Sequence, residues 1–144
     1  MEAHHIRIPV SGTPAGAASA RRQIAEEIRD WGAALGHELL YAAELVASEL
    51  ITNAVRHAHH GPITAGADLD ARALRIAVID ASSQIPEVSL PEADEEDGRG
   101  LFLVAALADR HGFDPLPSGK RCWAEFEFGT PLPVSATRPR QQRS

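Results

Sequence analysis

The chain has 144 residues, 44% hydrophobic and 24% charged, enough for one globular domain with an ordinary core and too few for two. Its formal charge of −6 is uneven: Arg138, Arg140 and Arg143 stand in residues 129–144 without an acid, so the preceding body carries −9 and is a poor generic binder of nucleic acid. Cys122 is the single cysteine, which excludes an internal disulfide and a cysteine zinc site. With no apolar run near the ~18 residues that span a bilayer, and no leader in M-E-A-H-H, a soluble cytoplasmic protein is expected.

Ile6, Ile8 and Val10 alternate with His5, Arg7 and Pro9, which predicts a short edge strand where Pro9 sacrifices no ladder donor. Thr13 before Pro14 reads as a cap and first-turn pair, and Ala17, Ala20, Ile24, Ile28 and Trp31 follow at helical spacing. Gly32 and Gly36 bracket a turn. A long second helix is expected from about His37 to Ala58, stopped by His59, His60, Gly61 and Pro62. Ile63, Ala65, Ala67 and Leu69, then Leu74, Ile76 and Val78, alternate as the arms of a hairpin turning at Asp70, Ala71 and Arg72. The second arm ends at Asp80.

From Ala81 to Gly98 the periodicity dissolves into Ser, Pro and acids, including E-A-D-E-E-D at 92–97, and predicts a long irregular loop. Gly98-Arg99-Gly100 opens a third helix, L-F-L-V-A-A-L-A-D-R, expected to end at Gly112 after His111 in the manner of a C-terminal cap. A final hairpin has arms at about 113–116 and 121–128, joined by P-S-G-K, with Cys122, Ala124, Phe126 and Phe128 on one side of its second arm. Residues 1–128 form the domain, and 129–144, rich in Pro and Arg, a disordered tail. Strand, helix, helix, hairpin, loop, helix, hairpin packs most simply as an α+β two-layer sandwich, a mixed, mostly antiparallel sheet with three helices on one face.

Three polar features interrupt this apolar scaffold. Glu49, Asn53 and Arg56 fall on one arc of the second helix while Leu50, Ile51, Ala54 and Val55 point elsewhere. A carboxylate, a carboxamide and a guanidinium so placed can activate a hydroxyl, ligate a hard cation and neutralise phosphate; the same spacing also describes a solvated helix edge. Asp80 ends a buried strand, where it either accepts from a ligand such as a purine amine or bonds the backbone of its own turn. Gly98 and Gly100 at a helix start allow close approach of an anion to free amides, though glycines there are common. His4, His5, His57, His59 and His60 lack a Cys or acid to complete a metal site and read as solvated. No serine sits at a glycine elbow of the hydrolase kind. Trp31 and Trp123 read as packing residues.

Asn on a helix, acid at a strand end, loop, then G-x-G at a helix start: this order resembles the gyrase, heat-shock-protein 90 and histidine-kinase-like (GHKL) ATPase superfamily. Within it the chain is similar to the small actinobacterial ATP-binding regulators related to anti-sigma-factor serine kinases. The stretches that carry the resemblance are S-E-L-I-T-N-A-V-R-H-A at 48–58, V-I-D-A-S-S-Q-I-P at 78–86, D-G-R-G-L-F-L-V-A-A-L-A-D-R at 97–110 and G-K-R-C-W-A-E-F at 119–126. The resemblance implies the histidine-kinase-like ATPase fold, with ATP and Mg²⁺ as cofactors.

By that resemblance Asn53 binds Mg²⁺, Glu49 is the base toward a serine or threonine hydroxyl, and Asp80 accepts from the adenine amine. Gly98, Arg99, Gly100 and Leu101 meet the phosphates, with Arg99 alternatively paired to neighbouring acids. Residues 87–99 form a lid, and Arg56 and His57 line the phosphate end or a partner-facing rim. The implied function is a Mg-dependent serine/threonine kinase and anti-sigma factor acting on a small anti-anti-sigma (STAS-like) protein. A sigma factor is a second candidate partner, with no direct nucleic acid and no membrane; a homodimer is left open. The chain departs from the family pattern in reading D-A-S-S-Q where D-x-G-x-G is common, and in Arg121 where a threonine often follows Gly-Lys. The alternative is a non-catalytic partner-binding module with weakened or lost nucleotide binding.

Overall fold

The computed structural model describes residues 3–31, 35–57, 61–82 and 96–128, with the backbone alone for 96–101. Among them the elements are β1 (His4–Val10), α1 (Pro14–Trp31), α2 (His37–His57), β2 (Ile63–Leu69), β3 (Ala73–Asp80), α3 (Glu96–Leu107), β4 (Arg110–Leu116) and β5 (Gly119–Glu127). The strands form one sheet in the order β1-β2-β3-β5-β4, and every pairing is antiparallel. Its two hairpins sit side by side, and β1 reaches across to close one edge.

Local chemistry sets the element ends. Thr13 Oγ1 accepts from Gly16 N at 3.0 Å, capping α1 as its Thr-Pro start predicts. Gly36, with φ of 87°, turns the chain into α2. Asp70 Oδ1 accepts from Arg72 N at 2.7 Å and from Ala73 N at 3.0 Å, an aspartate turn that closes the β2–β3 hairpin.

Strand parity then builds the core. Ile6, Ile8 and Val10 stand beside Ala67, Ala65 and Ile63, which stand beside Ile76 and Val78, which stand beside Ala124 and Cys122. Across this face lie Ala17, Ala20, Ile24 and Ile28 of α1 and Val46, Leu50, Ile51 and Ala54 of α2, all buried in the same cluster. α1 packs on β1 and β2, α2 on β2, β3 and β5, and α3 on β4 and α2. His4 stacks on Trp31 with ring centres 5.5 Å apart and tethers the edge strand to the end of α1.

The third helix departs from its expected bounds at both ends. α3 stops at Leu107 instead of running to a cap at Gly112, because the next residues are already claimed by the sheet. Asp109 N donates to Glu125 O at 2.9 Å, and Arg110 stands opposite Glu125 in the ladder. Gly112 lies within β4 facing Trp123, where a Cβ would sit 2.9 Å from the indole Cζ2; its glycine makes room for a ring and caps nothing. At its other end α3 begins at Glu96, so residues 96–98 of the expected loop are helical. Glycines weaken a helix by about 1 kcal/mol each without forbidding it. Residues 83–95, the greater part of that loop and of the expected lid, and the tail 129–144 lie outside the described residues. In the last hairpin the turn is Pro117-Ser118, and β5 starts at Gly119, two residues before the expected arm.

Candidate functional site

The second half of α2 carries the polar arc along the border between core and solvent. Glu49 and Asn53 are half-buried and Arg56 is exposed, while Leu50, Ile51 and Ala54 between them are buried. Arg21 Nη1 donates to Thr52 Oγ1 at 3.2 Å, so α1 holds α2 beside Asn53. The C-terminal end of α2 lies near the end of β3. β2 begins where β3 ends, with Thr64 opposite Ile79, and a Cβ on Gly61, in the link from α2 to β2, would lie 2.5 Å from the Cβ of Ala81.

The start of α3 lies toward the same end. Helix and strand are joined through Ala108 and Asp109 alone and pack together, so α3 runs against the direction of β4. Leu116 at the far end of β4 stands opposite Gly119, and Lys120 opposite Asp80. The backbone at Gly98, Arg99, Gly100 and Leu101 therefore belongs to the first turns of a helix whose free amides point to the Asp80 end of the sheet. Topology thus brings the C-terminal half of α2, the end of β3 and the start of α3 to one end of the molecule, although 27 and 18 residues separate Asn53, Asp80 and Gly98 in sequence.

Asp80 is the best-defined member. It is 3% exposed on the helix-covered face, in line with Leu74, Ile76 and Val78. Both expected fates of this carboxylate hold donors in reserve, and the fold supplies two: Ser82 N at 2.9 Å, the turn bond, and Lys120 Nζ at 3.1 Å. The ammonium also reaches Ser82 O at 3.4 Å. Lys120 is itself 2% exposed, and sequence reasoning missed it by leaving it in a turn. The signal was parity: once β5 starts at Gly119, Lys120 falls in step with Cys122, Ala124 and Phe126. Arg121, by the same alternation, is turned to the opposite face and pairs with Asp114 at 2.7 Å, so it does not approach Asp80.

Two neighbours report how dry this end is. Burial pushes the Cys122 thiol up to about 12, against a smaller opposing pull from Lys120. Gly119 has no room for a side chain, because a Cβ there would collide with the Asp80 carbonyl oxygen; the hairpin is pressed directly onto the end of β3. Among the described residues no three His, Cys, Asp or Glu side chains cluster as a metal site, and no helix is long and apolar enough to cross a membrane.

A model of the histidine kinase-like ATPase domain matches residues 10–124, from the last residue of β1 into β5. The chain belongs to the histidine kinase-like ATPase domain family. This ATPase domain is also similar in structure to the solved RsbU and RsbW domains of Rv1364c from Mycobacterium tuberculosis, with a TM-score of 0.66 and 21% sequence identity. That match covers 89% of this chain and 33% of the other, so the ATPase domain spans about one third of the solved chain's length. At that identity the likeness is one of fold. No curated protein matches the chain in sequence.

Proposed function

We propose that this ATPase domain binds ATP with Mg²⁺ and acts as a regulatory serine/threonine kinase and anti-sigma factor. Its partner would be a small anti-anti-sigma (STAS-like) protein, with a sigma factor as a second target, in the cytoplasm. The observation that supports the reading best is that the polar arc of α2, Asp80 and the first turns of α3 meet at one end of an otherwise hydrocarbon layer, within a family whose domain is an ATPase.

The residues present suit the ligand. Half-buried Asn53 offers the hard oxygen donor that Mg²⁺ prefers and would ligate it. Bound magnesium supplies charge neutralisation on the phosphates. The start of α3 would receive phosphate oxygens on its free amides, Gly98 among them, with Gly100 and Leu101 one turn further in letting the phosphates approach and Arg56 and Arg99 as further cations. Glu49 would accept the proton of the attacking serine or threonine hydroxyl. Asp80 would accept from the adenine amine, since a carboxylate has about four lone-pair sites and two donors do not exhaust it.

Thermal unfolding with and without Mg·ATP tests the binding. Ligand at a hundred times its dissociation constant adds about 2.7 kcal/mol to stability, a rise of several degrees for a domain of this size. The rise disappears in Asn53→Ala; an unchanged rise in that variant removes Asn53 from the site. Incubation with labelled ATP and the STAS-like partner should yield phosphoserine or phosphothreonine, lost in Glu49→Ala with nucleotide binding intact. A second reading, a partner-binding module with weakened or lost nucleotide binding, draws on the D-A-S-S-Q turn without glycine and on the ion pair that already engages Asp80. It expects no transfer of phosphate, a thermal shift that is small or absent, and a Glu49→Ala variant that still regulates in the cell.

A further inference from the structure

The Watson–Crick edge of adenine sets a donor, the exocyclic amine, beside an acceptor, the ring N1. The covered end of the sheet sets an acceptor beside a donor, Asp80 and Lys120, 3.1 Å apart. Both donors that reach Asp80 converge on Oδ1, leaving Oδ2 without one among the described residues. The Lys120 ammonium has three N–H groups and, among the described residues, two acceptors, Asp80 Oδ1 and Ser82 O. Each member of the pair has capacity left.

Stability alone does not account for the pair. Lysine is almost never buried to 2% exposure, and exchange of a buried ion pair for apolar residues of similar volume is often neutral or stabilising. Nor is the position forced by strand geometry, because Cys122, Ala124 and Phe126 fill the same side of β5 with apolar groups. The pair stands where that hydrocarbon face ends, at the last residue of β3 and the second of β5, next to the turn at Ser82.

We infer that Lys120 reads the base: its ammonium donates to N1 of adenine while the neighbouring Asp80 carboxylate accepts from the amine. This rests on the proposed ATP site and adds to it a second base-contacting group on a different strand. Because the pair is neutral as a unit, an uncharged base docks against it without leaving net charge in a dry site. Hypoxanthine, with a carbonyl at C6 and a proton on N1, opposes acceptor to acceptor and donor to donor, and is rejected.

Calorimetric titration of the full chain with Mg·ATP and with the Mg complex of 1-deaza-ATP separates the two contacts, because the analogue keeps the amine and replaces N1 by C–H. The wild type should bind the analogue roughly tenfold or more weakly than ATP. In a chain carrying both Lys120→Met and Asp80→Asn, chosen so that no lone charge stays buried and checked for folding by circular dichroism, the two nucleotides should differ by less than about twofold. Equal affinities in the wild type overturn the role of Lys120 while leaving the ATP site standing, as does a tenfold difference that persists in the folded double variant. Binding of neither nucleotide to the wild type overturns both.

Discussion

The two faces of the sheet use charge in opposite ways. On the open face, Arg7 pairs with Asp68, Arg75 with Glu125, Arg110 with Glu127 and Arg121 with Asp114, all at positions of one strand parity. The Arg75 guanidinium lies 4.7 Å over the Trp123 ring, which is 4% exposed. On the covered face the buried positions of the ladder are hydrocarbon until its last row, where Asp80 and Lys120 meet. Water and salt screen the exposed Arg7–Asp68 and Arg121–Asp114 pairs, each worth little, and reach the pairs of Arg75 and Arg110 in part; the pair at Asp80 is screened by neither, so each partner depends on the other. A charge on the covered face is therefore the one to interpret functionally.

The largest effect expected from this contrast is that of Lys120→Met alone, which strands a buried carboxylate and should lower stability by about 3–5 kcal/mol. Adding Asp80→Asn should recover most of it, as read by urea unfolding; a single variant as stable as the wild type would show that water reaches this pair freely. Next comes alkaline pH. Below about pH 9 folded and unfolded chains both keep the Cys122 proton, but between about 9 and 12 only the folded chain does, so stability falls with rising pH by about 1.4 kcal/mol per unit. Cys122→Ala should remove that slope, measured as the difference between the two chains' unfolding curves from pH 8 to 11.

Gly112→Ala probes the open face beside the Trp123 ring. The added methyl forces the Trp123 indole aside and should cost about 1–3 kcal/mol with a change in near-ultraviolet circular dichroism. Smallest is Arg7→Ala, whose pair with Asp68 is about half exposed on both sides; its loss should be below about 1 kcal/mol. A cost as large as that of Lys120→Met would erase the distinction between the faces.

Most of the fold was legible in the chain because each element announces itself locally. Thr13-Pro14, Asp70 and the alternation through Ile63–Leu69 and Leu74–Val78 act within a few residues, so pattern and outcome agree. The end of α3 was not legible, since A-L-A-D-R continues a good helix in isolation; the competing ladder bonds to Glu125 come from a strand yet to be made. The site divides in the same way. Glu49, Asn53 and Arg56 share an arc by helix geometry alone, whereas the alternation through Cys122, Ala124 and Phe126 turns Lys120 inward only once the strand is known to begin at Gly119 and not at Arg121.

By itself the sequence determined the elements, the face each one buries and the three polar interruptions, because period and turn chemistry are properties of neighbours along the chain. Only the tertiary structure decided that the end of α2, the end of β3 and the start of α3 share one end of the sheet, and that Lys120 is the cation beside Asp80. Those facts depend on strand register, which is chosen by how whole elements pack: a shift of one residue would exchange Lys120 for Arg121 and turn a buried ion pair into a solvated one.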